Sequence, residues 1–176
     1  MKTSLYGAGA EYALHSLLIL ATQTSPVSVK DLANYQQLPE RFLAKIFSRL
    51  KRAGLVKGQE GIQGGFVLNK PTSRIRVLEV LEAVDPGRSV FTCAEIRRNC
   101  ALFGAAPPQW AVSGPCRIHA FLQEAERRLF AFMAEKTLAQ LVCEFQCKAP
   151  HSFAVQTEDW FQHRRSARKA RTQEPD

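Results

Sequence analysis

The sequence predicts a mainly α-helical protein with one small β-hairpin and a long C-terminal helix. Three observations predict it. Apolar residues recur at helical spacing through most of the chain, a glycine-rich stretch between two short β-type runs interrupts them once, and the apolar face of residues 116–145 is too extended for the small module before it to cover. The chain accordingly divides into a helical and hairpin unit at 1–85, a cysteine-containing loop at 86–115, a long helix at 116–147 and a basic tail at 148–176 that reads as disordered.

Taken in order, Tyr12, Ala13, Leu17, Leu18 and Leu20 mark a first helix from about Ala10 to Ala21. Ser28 stands three residues before Asp31 and suits an N-cap, with Val29, Leu32 and Ala33 as the buried side of a short second helix ending near Tyr35. Pro39 fits the first turn of a third helix, where its missing N–H is not needed. Phe42, Leu43, Ile46, Phe47 and Leu50 then give that helix one apolar stripe, and Gly54 closes it in the left-handed conformation. Opposite the stripe lie Arg41, Lys45, Ser48, Arg49 and Arg52. A short helix, a tight turn and a second helix with a basic outer face form a helix-turn-helix. The β-type runs Leu55–Lys57 and Phe66–Leu68, joined through four glycines, add a hairpin wing. The predicted fold is thus a winged helix-turn-helix, completed by an amphipathic helix over Ile75–Val84 that Asp85-Pro86-Gly87 terminates. The glycines do not form a nucleotide cradle, since no Gly-Lys-Ser/Thr follows and no parallel-sheet pattern surrounds them.

Charge gives the first functional indication. The net charge is +8, and the first 70 residues hold nine Lys/Arg against four Asp/Glu, whereas residues 71–147 are nearly balanced. A basic unit joined to a neutral one points to a polyanion, most simply nucleic acid. His163–Arg171 is also basic and could touch DNA phosphates without sequence preference. The apolar stretch Tyr12–Ala21 is too short to span a bilayer and lacks the flanks of a secretory signal, so the expected location is cytoplasmic with no membrane partner. No paired carboxylates, Ser-His-Asp set or cofactor loop speaks for an enzyme. One long helix with Phe121, Leu129, Phe132, Leu138 and Val142 on its apolar face is most economically buried against a second copy, which predicts a homodimer.

Five cysteines make an odd number for a disulfide scaffold. Cys93, Cys100 and Cys116 fall in or beside the irregular loop, where flexible backbone lets three sulfurs converge as a regular helix would not. Thiolates are soft ligands suited to an iron–sulfur cluster or to zinc. His119, three residues after Cys116, shares its face at the start of the long helix and can complete a four-donor set. Three Cys and one His also make a closed, redox-silent zinc site. Cys143 and Cys147, one turn apart, form a separate pair whose role stays open.

The stretches Glu11–Leu14, Leu43–Val56, Gly61–Leu68 and Val77–Val84 together resemble the Rrf-two family of winged-helix transcription regulators. The resemblance implies a dimer on a palindromic double-stranded operator, the third helix in the major groove and the wing in or beside the minor groove. Arg41 and Lys45, near the start of the third helix, are then placed to read base edges, and Arg49 and Arg52 to serve phosphates. Lys57, Gln59 and Gln63 belong to the wing, and Ser28 and Pro39 join the DNA-facing set at the helix starts. Family members often carry arginine before the wing's first glycine, where this chain has Glu60. The resemblance also implies a cluster on Cys93, Cys100 and Cys116, although the Ala101–Pro115 insertion widens the second gap. Its fourth ligand would be His119 in a two-iron cluster, or Glu11, contributed by the other subunit, in a four-iron one. The expected function is an iron-, redox- or nitric-oxide-sensing regulator, a repressor for instance. The alternative is a cluster-free regulator of the same fold, controlled by thiol oxidation, structural zinc or a partner protein.

Overall fold

The computed structural model describes residues 5–173, with side chains to residue 170. Eight helices and one hairpin follow in order: α1 (Ala8–Thr22), α2 (Val29–Gln36), α3 (Glu40–Arg52), β1 (Val56–Gln59), β2 (Gly65–Leu68), α4 (Val77–Val84), the single turn α5 (Gln109–Val112), α6 (Arg117–Glu135), α7 (Leu138–Lys148) and α8 (His151–Gln173). The core lies among α1 to α4 and the root of the hairpin. There Leu17, Leu32, Leu43, Phe47, Leu50 and Ile75 are fully buried. All but Ile75, which lies just ahead of α4, are positions that helical periodicity selected, and the mainly α winged helix-turn-helix expected from the sequence is the fold observed.

Local chemistry sets the boundaries. The Ser28 hydroxyl accepts from the Asp31 backbone N–H at 3.0 Å, which caps α2. Gln37 makes the turn into α3 in the left-handed conformation, with φ of 54°, and Leu38 N–H donates back to Ala33. Pro39 sits one residue ahead of α3, at its N-cap rather than inside its first turn. Gly54, at φ +71°, ends α3 while Leu55 N–H returns to the Leu50 carbonyl.

β1 and β2 pair antiparallel with Val56 opposite Leu68 and Gln59 opposite Gly65. Val27 and Phe66 exchange both backbone hydrogen bonds, at 3.0 and 2.8 Å, so the segment entering α2 lies along the root of the wing. The approach is so close at Gly65 that a Cβ there would stand 2.5 Å from the Val27 carbonyl. Glycine is required at that position for space.

Two expectations need correction. The helix expected across 116–147 is broken: Lys136 is extended, Thr137 caps α7, and a reciprocal capping box with Gln140 fixes the new start. The break is also held from outside, because Val77 N–H donates to Lys136 O at 2.9 Å and Leu138 N–H to Ile75 O at 2.8 Å. The tail expected to be disordered holds α8, although the Arg171 side chain and residues 174–176 lie outside the described residues. Thr157, Trp160, Phe161, Arg164 and Arg168 recur at helical spacing and face α2. Phe161 is 1% exposed, its ring centroid 5.0 Å from that of Tyr35. Trp160 meets the same Tyr35 edge-on, and the hydroxyls of Tyr35 and Thr157 are hydrogen-bonded at 2.8 Å.

Candidate nucleic-acid interface and cysteine segment

α3 owes its position to its apolar stripe. With Leu43, Ile46, Phe47 and Leu50 buried, the opposite face must point outward, and Arg41, Lys45, Ser48, Arg49 and Arg52 are all exposed. Lys57, Gln59 and Gln63 are exposed on the wing. Of the DNA-facing residues expected from the sequence, those of the third helix and the wing thus fall on two adjoining elements, α3 and the hairpin, whereas Ser28 and Pro39 sit at the N-caps of α2 and α3. Arg49 differs from the rest, because its guanidinium donates to the Val84 carbonyl at the end of α4. Beside it, Asp85 is hydrogen-bonded and paired to Arg88 at 2.8 Å and also accepts from the Gly7 N–H. Its carboxyl is held below the ordinary range chiefly by the Arg88 hydrogen bond.

Ser28 is more engaged than its role as a cap required. Its hydroxyl donates to Asp31 Oδ2 at 2.7 Å and accepts from Arg168 at 2.6 Å. Asp31, 4% exposed, takes Arg164 Nε at 3.2 Å on one carboxylate oxygen and Arg168 on the other. Sequence reasoning missed this cluster. The partners are more than 130 residues apart, and only the spacing Thr157, Trp160, Phe161, Arg164, Arg168 hinted that α8 has an inward face.

The cysteine segment is mostly loop, with short 3₁₀ turns at Ile96–Arg98 and Ala101–Phe103. Cys93 is half-buried and accepts from the Glu95 N–H at 3.4 Å. Cys116, also half-buried, occupies the N-cap of α6, while Cys100 is exposed ahead of the second 3₁₀ turn. Arg97 ties the segment together, donating to Glu95 at 2.5 Å and to the Gly114 carbonyl at 3.2 Å. It is held above its ordinary pKa first by the Glu95 hydrogen bond, with Cys116 and Cys93 close enough to add to the effect. The His119 ring lies 5.8 Å from that of Phe91, and its Nδ1 is buried without a hydrogen-bond partner.

In kind, these donors suit a soft metal centre: three thiols, and an imidazole nitrogen kept from water with no other use. In place they are not assembled. Among the described residues no three His, Cys, Asp or Glu side chains stand close enough to share a metal ion. Glu11 lies exposed in the first turn of α1. Cys143 and Cys147 are both exposed on α7, and the hydrogen bond that the Cys147 thiol donates to Cys143 pushes the Cys147 thiol up.

No helix among the described residues is long and apolar enough to cross a membrane. α6 nevertheless leaves Ile118, Phe121 and Phe132 about 70% exposed and contains no fully buried residue.

Residues 6–144 match the model of the family described as Rrf2, iron-dependent transcriptional regulator. The chain is 32% identical over 133 residues to the HTH-type transcriptional regulator IscR of Klebsiella pneumoniae (strain 342), covering 74% of this chain and 75% of that protein. It is 31% identical, over the same shares, to the IscR of Escherichia coli O1:K1 / APEC. Among solved structures, T. potens IscR superposes with a TM-score of 0.62 at 19% identity, covering 86% of this chain and 93% of the other. CymR (YrzC), the global cysteine regulator of B. subtilis, does so with a TM-score of 0.61 at 22% identity, covering 82% and 98%. At those identities the structures establish the fold alone.

Proposed function

Because the chain belongs to the Rrf2 family and is an IscR-like helix-turn-helix transcription regulator that binds DNA, we propose that it reads a palindromic operator as a homodimer and adjusts its grip through an iron–sulfur cluster. The observation that carries the DNA half is the exposed basic face of α3 beside the wing, inside the region the family model matches. Arg41 and Lys45 read bases at the leading end of α3. Arg52, Arg49 and the wing residues Lys57, Gln59 and Gln63 hold the flanking backbone, and Ser28 and Pro39 set the helix starts against it. Homodimerisation is supported by the uncovered apolar face of α6 around Phe121 and Phe132, which a second copy would bury.

Cys93, Cys100 and Cys116 would hold the cluster, with His119 as fourth ligand in a two-iron form or a partner's Glu11 in a four-iron form. The buried, unpartnered Nδ1 of His119 favours the histidine. Such a cluster supplies a centre that oxidants or nitric oxide can alter. What the chain contributes is the connection: the segment holding these donors leaves α4 and leads directly into α6, so ordering it biases the spacing of the two α3 helices in a dimer. A cluster-free regulator, controlled by thiol oxidation, structural zinc or a partner protein, is the second reading. The unassembled donor set favours it.

Anaerobic purification with iron, sulfide and zinc analysis decides between them. Stoichiometric iron and sulfide, lost in Cys116→Ala and in His119→Ala but retained in Glu11→Ala, is the expected result. Colourless protein holding zinc, or no metal, would overturn the cluster. Arg41→Ala should relax base preference at one position per half-site and cost about 1–3 kcal/mol. An unchanged preference would remove Arg41 from the reading role.

A further inference from the structure

We propose that Cys143 and Cys147 on α7 form a binding site for one soft monovalent metal cation of the Cu(I) class, held in line between the two thiolates. The site shares no donor with the Cys93, Cys100 and Cys116 segment, so the inference stands apart from the cluster reading above.

The fold presents the pair outward. Leu138 is 1% exposed in the core, and Phe145 packs edge-on against Phe153 of α8 with ring centroids 5.9 Å apart, so α7 is fixed in rotation by both. At about 100° per residue, Cys143 and Cys147 lie about 140° and 180° round the helix from Leu138. Both are accordingly exposed. Four residues apart, they are neighbours on that face, and the Cys147 thiol donates a hydrogen bond to Cys143. The two sulfurs therefore already face each other in the folded chain.

Distance separates the chemistries open to such a pair. Cβ atoms at this spacing on a helix stand about 5–6 Å apart, whereas a disulfide needs them at about 3.5–4.5 Å. Oxidation would have to unwind the last turn of α7. A metal–thiolate bond is about 2.3 Å long, so one ion placed between the sulfurs bridges a gap that a direct sulfur–sulfur bond of about 2 Å cannot. The number of donors then selects the ion. Among the described residues no third His, Cys, Asp or Glu side chain joins the pair in a group that could hold a metal ion. The Glu144 carboxylate, between the two in sequence, is already paired with Lys136. A closed zinc site and an iron–sulfur cluster each call for four protein ligands. Cu(I) is selected by soft sulfur donors and is satisfied by two of them. Binding breaks both S–H bonds, forms two S–Cu bonds and releases two protons to solvent, with copper monovalent throughout.

The test titrates the full chain, reduced and anaerobic, with Cu(I) held by a colorimetric chelator, and reads the copper that the protein retains. The chain carries Cys93→Ser, Cys100→Ser and Cys116→Ser, which leaves α7 with the only thiols, and circular dichroism verifies folding. One equivalent per chain should be retained, and X-ray absorption should show two sulfur neighbours. Adding either Cys143→Ser or Cys147→Ser should weaken retention by about a hundredfold or more, beyond what loss of an outer-shell contact costs. Retention unchanged by both substitutions, or no retention, would overturn the site. So would four sulfur neighbours at half an equivalent per chain, since copper would then bridge two copies. If the triple variant does not fold, the parent is compared with Cys143→Ser/Cys147→Ser, and equal copper in the two would overturn the site.

Discussion

Replacing Phe161 with alanine tests whether α8 is a docked element with its own stability. Phe161 is 1% exposed and packs its ring 5.0 Å from Tyr35 and 4.9 Å from Trp160. A Phe→Ala change at such a site removes about 3–5 kcal/mol of burial and packing. Elsewhere in the core that loss would fall on global unfolding. Here α8 follows α7 through the short Ala149-Pro150 joint, so the helix can release as a unit while α1 to α4 stay folded. Hydrogen exchange measured segment by segment should then show amide protection in α8 falling by roughly two to three and a half orders of magnitude, at 1.4 kcal/mol per decade. Protection in α1 and α3 should be unchanged, and Trp160 fluorescence should move toward that of an exposed indole. Protection in α8 equal to the parent's, or an equal loss in α8 and α3, would refute the reasoning.

Other substitutions probe other joints of the fold. Gly65→Ala drives a Cβ into the Val27 backbone and should destabilise by about 1–3 kcal/mol in denaturant titration; a midpoint within error of the parent's would mean that the wing root can yield. Thr137→Ala removes the capping box that starts α7 and should cost about 1 kcal/mol, with the lost protection concentrated in the first turn of that helix. The Asp85 carboxyl is held below its ordinary pKa, so its contribution is present above about pH 4 and is lost as the pH falls through its depressed folded value. Asp85→Asn should therefore lower the melting temperature at neutral pH and flatten its decline in acid, and parallel pH profiles for the two proteins would contradict that assignment.

The parts of the fold that were legible in the sequence are those decided by local pattern. Leu43, Ile46, Phe47 and Leu50 announce α3 and its outward basic face together, because burying one side of a helix exposes the other. Gly54 and Gly61 mark turns for an equally local reason, a left-handed backbone that glycine adopts freely. The break at Thr137 was also local, a Thr-x-x-Gln capping box, but the apolar run continuing through Leu138, Leu141 and Val142 masked it. α8 was hidden for a different reason. Its inward face mixes Thr157, Arg164 and Arg168 with two aromatics, and arginines that neutralise a carboxylate on α2 look in sequence like arginines meant for solvent. The cysteines mark the third limit. Their type and order suggested a metal centre, but whether three sulfurs meet depends on loop conformation and on a second chain, neither of which spacing determines.

The pairing of Ile75 and Val77 with Lys136 and Leu138 closes a ring in the chain's path. α4 itself packs on α1 and α3, so the part that leaves the DNA-binding unit is the loop after it together with α6, and this excursion returns at Lys136–Leu138 beside the point where α4 begins. Lengthening such an excursion costs little, since the entropy of closure rises only with the logarithm of its length. The stretch 101–115 can therefore vary in length without any change in α1 to α3. Change can thus accumulate in that excursion while α1 to α3, with the exposed basic face of α3, remain as they were.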